Sequence, residues 1–212
     1  MNPKEAREQT VKDAKCGIIL DAARKIFSEK GYMDARLEDI AELAGFSKPT
    51  LYSYFQDKES IFLSLAIGEM KDVAQKIQVA VSSDGHFTTI LESILLIIFQ
   101  NFAQTFSCFS TASNFRAMRS MNIDATKRKE LRDRFNEIMG NILLSIEALI
   151  KRSIKTGEVT SHQDPAELSW FIISLIQGMQ MRSWMTGKAC DIDASVKQVI
   201  AFIMHGLSGK KR

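Results

Sequence analysis

Apolar residues recur along most of the chain with the period of a helix. Ile18, Ile19, Ala22, Ala23, Ile26 and Phe27 fall on one stripe, while Asp21, Arg24, Lys25 and Glu29 face away. Gly31, just after Lys30, has the position of a C-terminal stop. Leu37–Ala44 predicts a short second helix with Leu37, Ile40, Ala41 and Ala44 on one side, ended by Gly45. Ser47 is placed to cap a third helix, and Pro49 lies in its first turn, where a missing N–H costs nothing. That helix is brief and ends near Phe55. Asp57 caps a fourth, which begins Lys58-Glu59-Ser60 and continues through Ile61 and Leu65 past Met70.

Beyond residue 80 the helices become longer and more apolar, over 86–106, 110–121, 125–156, 165–186 and 192–208. The loops VSSDGH and KTGEVTSHQ punctuate them. Asp164-Pro165-Ala166-Glu167 is a start signal: a capping residue, a proline in the first position and an acid three after the cap. No sustained Val/Thr alternation predicts a strand. The expected fold is all-α, with about nine helices. An N-terminal three-helix domain over 15–60 contains a helix-turn-helix, the second and third helices joined by AGFS. A helical bundle over 61–208 follows. Residues 1–14 are expected as a flexible tail and 209–212 as a second one.

Composition agrees with this reading. The 212 residues include only 11 Gly and 3 Pro, too few for a turn-rich fold, and 45% are hydrophobic, which supplies a core. The three cysteines, Cys16, Cys108 and Cys190, are an odd number without CxxC spacing, so neither a disulfide framework nor a zinc site is expected. The first residues lack the apolar run of a signal peptide. Ser93 to Phe115 carries no charge over 23 residues, but Gln100, Asn101 and Gln104 suit a buried helix of a bundle better than a membrane span. The expected location is cytoplasmic.

Charge points nowhere in particular. The net charge is +3, and residues 1–60 hold ten basic side chains against eleven acidic ones. The motif is far more specific. AARKIFSEKGY (22–32), DIAELAGFSKPTLYSYF (39–55) and DKESIF (57–62) closely resemble the DNA-binding domain of the TetR family of bacterial transcriptional regulators. From the residues themselves, Gly45 permits the tight turn, and Ile40, Leu43, Phe46, Leu51 and Phe55 have the spacing of a small core. The third helix then offers one cation, hydroxyls and aromatic edges, a mixture suited to a major groove. The resemblance implies that Lys48, Pro49, Tyr52 and Ser53 meet bases, and that Thr50, Tyr54 and Lys58 meet phosphates. Packing inside the small domain is the alternative for each tyrosine. Where the family usually carries a Ser/Thr pair before the second helix, this chain has Ala35 and Arg36. Asp34 is then a substitute cap, and Arg36 replaces a hydroxyl contact with a charged one. The N-terminal Lys4, Arg7, Lys12 and Lys15 are either solvated or reach a neighbouring groove as an arm.

A small recognition helix reads few base pairs, so a homodimer is expected. Its interface is placed on the last two helices, at Trp170, Ser174, Gln177, Gly178, Met181, Val196, Ile200, Ile203 and Met204, with an intramolecular core as the alternative. Residues 87–121 combine Phe and Met with amides. Phe99, Asn101, Phe102, Gln104, Phe106, Phe115, Arg116 and Met118 are therefore expected to line an effector pocket, with ordinary core again the alternative. Scattered His86, His162 and His205, and the lack of P-loop, nucleophile-elbow or dinucleotide fingerprints, predict no enzyme activity, no metal and no cofactor. The expected partners are double-stranded operator DNA, a second copy of the chain and an unidentified hydrophobic or amphipathic small molecule, with no membrane. The function expected is that of a repressor released by its ligand. A helical half that binds a protein instead of a metabolite is the alternative.

Overall fold

A seven-residue helix cannot persist in water by its own hydrogen bonds, so the third helix has to be held by its neighbours. The computed structural model describes residues 2–109, 125–186 and 191–207, with the side chains of the long helix after residue 86 described as far as Asn101. Among them are eight helices and no strand: α1 (Pro3–Asp34), α2 (Leu37–Ala44), α3 (Lys48–Tyr54), α4 (Lys58–Ser82), α5 (Phe87–Phe109), α6 (Ala125–Thr156), α7 (Pro165–Thr186) and α8 (Ile192–Leu207). The helix expected over 110–121 lies outside the described residues. One compact unit takes in Met1–Gly68 with Thr105–Leu131, and the other Glu69–Gln104 with Arg132–Arg212.

In the first unit, the residues expected as a tail are helical from Pro3 onward. The Asn2 side chain accepts from the Lys4 N–H (3.2 Å), while the Asn2 N–H donates to Glu5 Oε2 (3.1 Å). This capping box, with Pro3 in the first turn, starts α1 about four turns earlier than the apolar stripe does. Gly31, at φ 76°, breaks the helical path near its end. The core gathers Ile19, Ala23, Ile26 and Phe27 of α1, Ile40 and Ala41 of α2, Leu51 of α3, Phe55, and Ile61, Phe62 and Leu65 of α4. Phe62 meets Phe27 and Tyr32 edge-on, with ring centroids 5.8 and 4.7 Å apart. Two residues expected inside are not: Ile18 is 49% and Leu43 44% exposed. Each lies at the border of its helix's apolar stripe, and the residues beside it already fill the core.

The first turn of α4 is bound into this unit at two points. The Ser60 N–H donates to Asp57 Oδ1 (2.6 Å), the expected cap. The Lys58 ammonium donates to the carbonyls of Tyr32 (2.7 Å), Met33 (3.1 Å) and Ala35 (2.9 Å), and sits 4.6 Å from the Tyr32 ring centroid. An ammonium has three donors, and all three are engaged. Burial holds the Lys58 pKa below its ordinary value, with Glu59 and Asp34 opposing that shift.

In the second unit, Phe87, Leu91, Ile94, Leu95 and Phe99 of α5, Ile146, Leu149 and Ile150 of α6, and Ile173 and Ile176 of α7 are buried. Helix α7 packs against α8. As expected, Asp164 caps α7, accepting from the Ala166 N–H (3.0 Å). The VSSDGH loop is gripped from both sides by the end of α6 and the turn that follows it. Arg152 Nη1 donates to the Val81 carbonyl (2.9 Å), and Glu158 Oε2 accepts the Phe87 N–H that opens α5 (2.7 Å). His86 Nδ1 lies 3.4 Å from the same oxygen, and Thr156 Oγ1 donates to Glu158 Oε1 (3.1 Å). The Phe87 N–H foremost, then Thr156 and His86, hold the Glu158 carboxyl below its usual range.

Two consequences are measurable. Lys58→Met keeps the aliphatic stem over Tyr32 but removes three charge-assisted donors, so urea unfolding should show a loss of about 2 kcal/mol. A change within about 0.5 kcal/mol would show the three bonds to be replaceable by water. Because the folded pKa of Glu158 is depressed, its contribution is present above the ordinary carboxylate pKa and disappears as pH falls through the folded value. The Glu158→Gln variant should therefore be less stable than the wild type at about pH 6 and converge with it towards pH 3. A gap independent of pH would contradict that assignment.

Candidate nucleic-acid interface

The turn between α2 and α3 is built from backbone chemistry. Gly45 adopts φ 72°, and its N–H and that of Phe46 donate to the carbonyls of Glu42 (3.1 Å) and Ala41 (2.9 Å). Ser47 Oγ accepts from the Thr50 N–H (3.4 Å) and lies 2.8 Å from Thr50 Oγ1, so the cap of α3 also engages the Thr50 hydroxyl. At the other end, the Phe55 N–H closes on the Leu51 carbonyl (3.0 Å). Leu51 is wholly buried and fixes the rotation of α3 about its axis.

That rotation decides which expected contacts face outward. Lys48, Pro49, Tyr52 and Ser53 are exposed, and Tyr52 keeps 44% of its surface in solvent. Packing, the alternative reading for Tyr52, therefore does not hold. Thr50 is half-buried. Tyr54 is half-buried and packs against the core, so that of the two tyrosines it is the one the small domain partly absorbs. Ser53 Oγ donates to the Thr50 carbonyl (2.6 Å).

The start of α2 departs from expectation. Arg36, not Asp34, occupies the N-cap, with extended backbone and no side-chain bond closing the turn. Asp39 compensates: its Oδ2 accepts from the Arg36 N–H (3.3 Å) and from Lys30 Nζ (2.8 Å), and the lysine lowers its pKa. The Arg36 side chain is exposed. Lys58, expected at a phosphate, is instead turned inward onto three carbonyls, so its donors are not available to a ligand without breaking those bonds.

Two neighbours of α3 carry no sequence signal. Lys48 Nζ forms an ion pair with Glu38 Oε1 of α2, an interaction across ten positions that no helical spacing rule connects. Arg7, Glu8, Val11 and Lys12 of α1 line, with Ser53 and Tyr54, an open hollow of about 430 Å³. Of the four basic residues expected on an arm, all lie on α1, and Arg7 and Lys12 sit beside the end of α3.

The remaining expected sites divide. Of the pocket residues, Phe99 is buried and Asn101 half-buried. The side chains of Phe102, Gln104, Phe106, Phe115, Arg116 and Met118 lie outside the described residues. Of the interface residues, Trp170 (53%), Ser174, Gln177, Gly178 and Met181 are exposed, and Ile200 and Met204 half-buried. Val196 (2%) and Ile203 (8%) are buried within the protomer, because α8 turns that stripe inward. Phe171, Met185 and Phe202 are exposed instead, and periodicity alone did not single them out.

Comparison with known proteins agrees with this geometry. The sequence model "Bacterial regulatory proteins, tetR family" matches residues 19–65, and "Tetracyclin repressor-like, C-terminal domain" matches residues 119–199. The chain is 24% identical to the fatty acid metabolism regulator protein of Bacillus subtilis, over 91% of this chain and 95% of that one. It is also 24% identical to the transcriptional repressor KstR2 of Rhodococcus jostii, over 98% of each. Among solved structures, the regulator FadR from Bacillus subtilis in complex with stearoyl-CoA superposes with a TM-score of 0.61 at 23% identity, covering 89% of this chain and 97% of that one. Each of these proteins is named as a regulator or repressor, two of them explicitly of transcription. With a helix-turn-helix whose third helix is anchored by one buried leucine, and with both halves matched, the chain belongs to the TetR family of bacterial transcriptional regulators.

Proposed function

We propose that this protein is a homodimeric, cytoplasmic repressor that binds a palindromic operator and is released by an amphipathic ligand with a long hydrocarbon chain. One observation carries the DNA reading: Leu51 is fully buried while Lys48, Pro49, Tyr52 and Ser53 of the same short helix are exposed together. A helix held this way presents a fixed set of polar and apolar edges to base pairs. Arg36, Thr50 and Tyr54 flank that set and are assigned to phosphates, along with Arg7 and Lys12 beside Ser53 and Tyr54. Lys58 holds the domain together and contributes only its charge.

Dimerisation is supported by large apolar side chains left in solvent on two packed helices: Trp170, Phe171, Met181 and Met185 on α7 and Phe202 on α8. Among the described residues, no other element comes within 4 Å of where a Cβ at Gly178 would lie, so a second helix can approach there. The ligand class is supported by the Phe-rich α5, which carries no charge after Glu92, by the relative named for fatty acid metabolism and by the neighbour holding stearoyl-CoA. Release requires that the ligand bind the DNA-incompetent state more tightly than the competent one.

Fluorescence anisotropy on a duplex from upstream of the protein's own gene, at a stated salt concentration, tests both parts. The double variant Lys48→Ala, Tyr52→Ala should lose about 10- to 100-fold in affinity with fold and dimer intact. A long-chain acyl-CoA should displace the wild type, and hydrophilic metabolites should not. A wild type that binds no duplex at low salt would overturn the DNA reading, and indifference to acyl-CoA would overturn the ligand class.

A further inference from the structure

The ion pair between Glu38 and Lys48 does little that stability requires. Both side chains are about half exposed, 54% and 50%, where such pairs contribute little. Buried Ile40, Leu51 and Phe55 already hold α2 and α3 in place. Asp39, the neighbouring acid, is tied to Lys30 and the Arg36 N–H, so the start of α2 does not depend on Glu38. Yet Glu38 sits against the one charged residue of α3, which has the exposed Pro49 and Tyr52 as neighbours on that helix.

A carboxylate on a surface facing DNA is costly. It repels phosphates, cancels the charge of Lys48, and loses solvation in the groove unless a donor meets it. The donors available there are the exocyclic amino groups of cytosine N4 and adenine N6. Beside each amino group, on the paired base, lies a keto oxygen, O6 of guanine or O4 of thymine, which needs a donor. An ammonium in contact with a carboxylate presents one donor beside one acceptor at hydrogen-bond separation. That is the complement of a keto oxygen beside an amino group.

We infer, building on the DNA reading above, that Glu38 and Lys48 form one recognition unit that reads both members of a single base pair in each half-site: Lys48 donates to the keto oxygen and Glu38 accepts from the amino group. The favoured pair is G·C, because guanine also offers N7 to the ammonium. T·A keeps the keto–amino order but brings a methyl group to a charged pair and is second. C·G and A·T reverse the order, setting donor against donor and acceptor against acceptor, and are rejected. Glu38 thus makes binding to unmatched sequence unfavourable while Lys48 rewards the matched one.

Selection from a random duplex pool, followed by sequencing, tests this with wild type, Glu38→Gln, Lys48→Met and the double variant. The wild type should enrich one position per half-site with G·C favoured about tenfold or more over C·G. Either single variant should reduce that ratio to within about threefold while leaving other positions unchanged. The double variant should lose no more than either single one, since the residues act as a unit. Three results overturn the inference: an enriched site whose preferences survive both single variants, variants that change only overall affinity and its salt dependence, or a Glu38→Gln protein whose thermal unfolding shows that the pair staples the fold. A wild type that enriches no sequence overturns the DNA reading as well, which distinguishes the two failures.

Discussion

The N-terminal unit depends on one constraint: its reading helix is too short to be stable alone. Seven residues form too few intrahelical bonds to offset nucleation, so α3 exists because Leu51 and Phe55 are buried among α1, α2 and α4. Everything else follows from keeping that burial in place. Gly45 sets the turn, Ser47 caps the helix, and the Phe27–Tyr32–Phe62 cluster fills the space beneath. Lys58 ties the first turn of α4 to the segment that leads into α2. An ammonium is suited to this because it satisfies three converging carbonyls at once.

Charge in this unit is arranged by pairing, not by excess. Arg24 meets Asp21, Lys30 meets Asp39, Lys48 meets Glu38 and Lys58 is turned inward, so at least four of the ten cations in residues 1–60 are held by internal partners. A regulator that bound any duplex strongly would be lost among nonspecific sites. Such pairing avoids this, and on the reading proposed above leaves discrimination to the exposed edges of α3 and to Glu38 beside Lys48.

The eight described helices were readable in the sequence because their stripes, caps and stops agree with one another. Asp164 and Pro165 set the start of α7, and Ser47 and Asp57 do the same for α3 and α4. The extent of α1 was not readable, since its first four turns carry no apolar stripe and rest on a capping box at Asn2 and Glu5. Which contacts face outward also needed coordinates. Tyr52 and Tyr54 are two apart in a helix, and only the burial of Leu51 tells which one is free. Contacts between distant segments, such as Glu38 with Lys48 or Glu158 with the Phe87 N–H, follow no local rule. Val196 and Ile203 share the spacing of interface residues, but α8 needs them for its own core.

The most direct test of two α3 helices lying in major grooves is chemical interference on the duplex that the protein selects. Methylation of guanine N7 marks the major groove, and methylation of adenine N3 marks the minor groove. The prediction is two clusters of guanine N7 interference related by two-fold symmetry, their centres one helical turn of about 10–10.5 base pairs, or a multiple of it, apart. A single cluster, or interference confined to adenine N3, would contradict it.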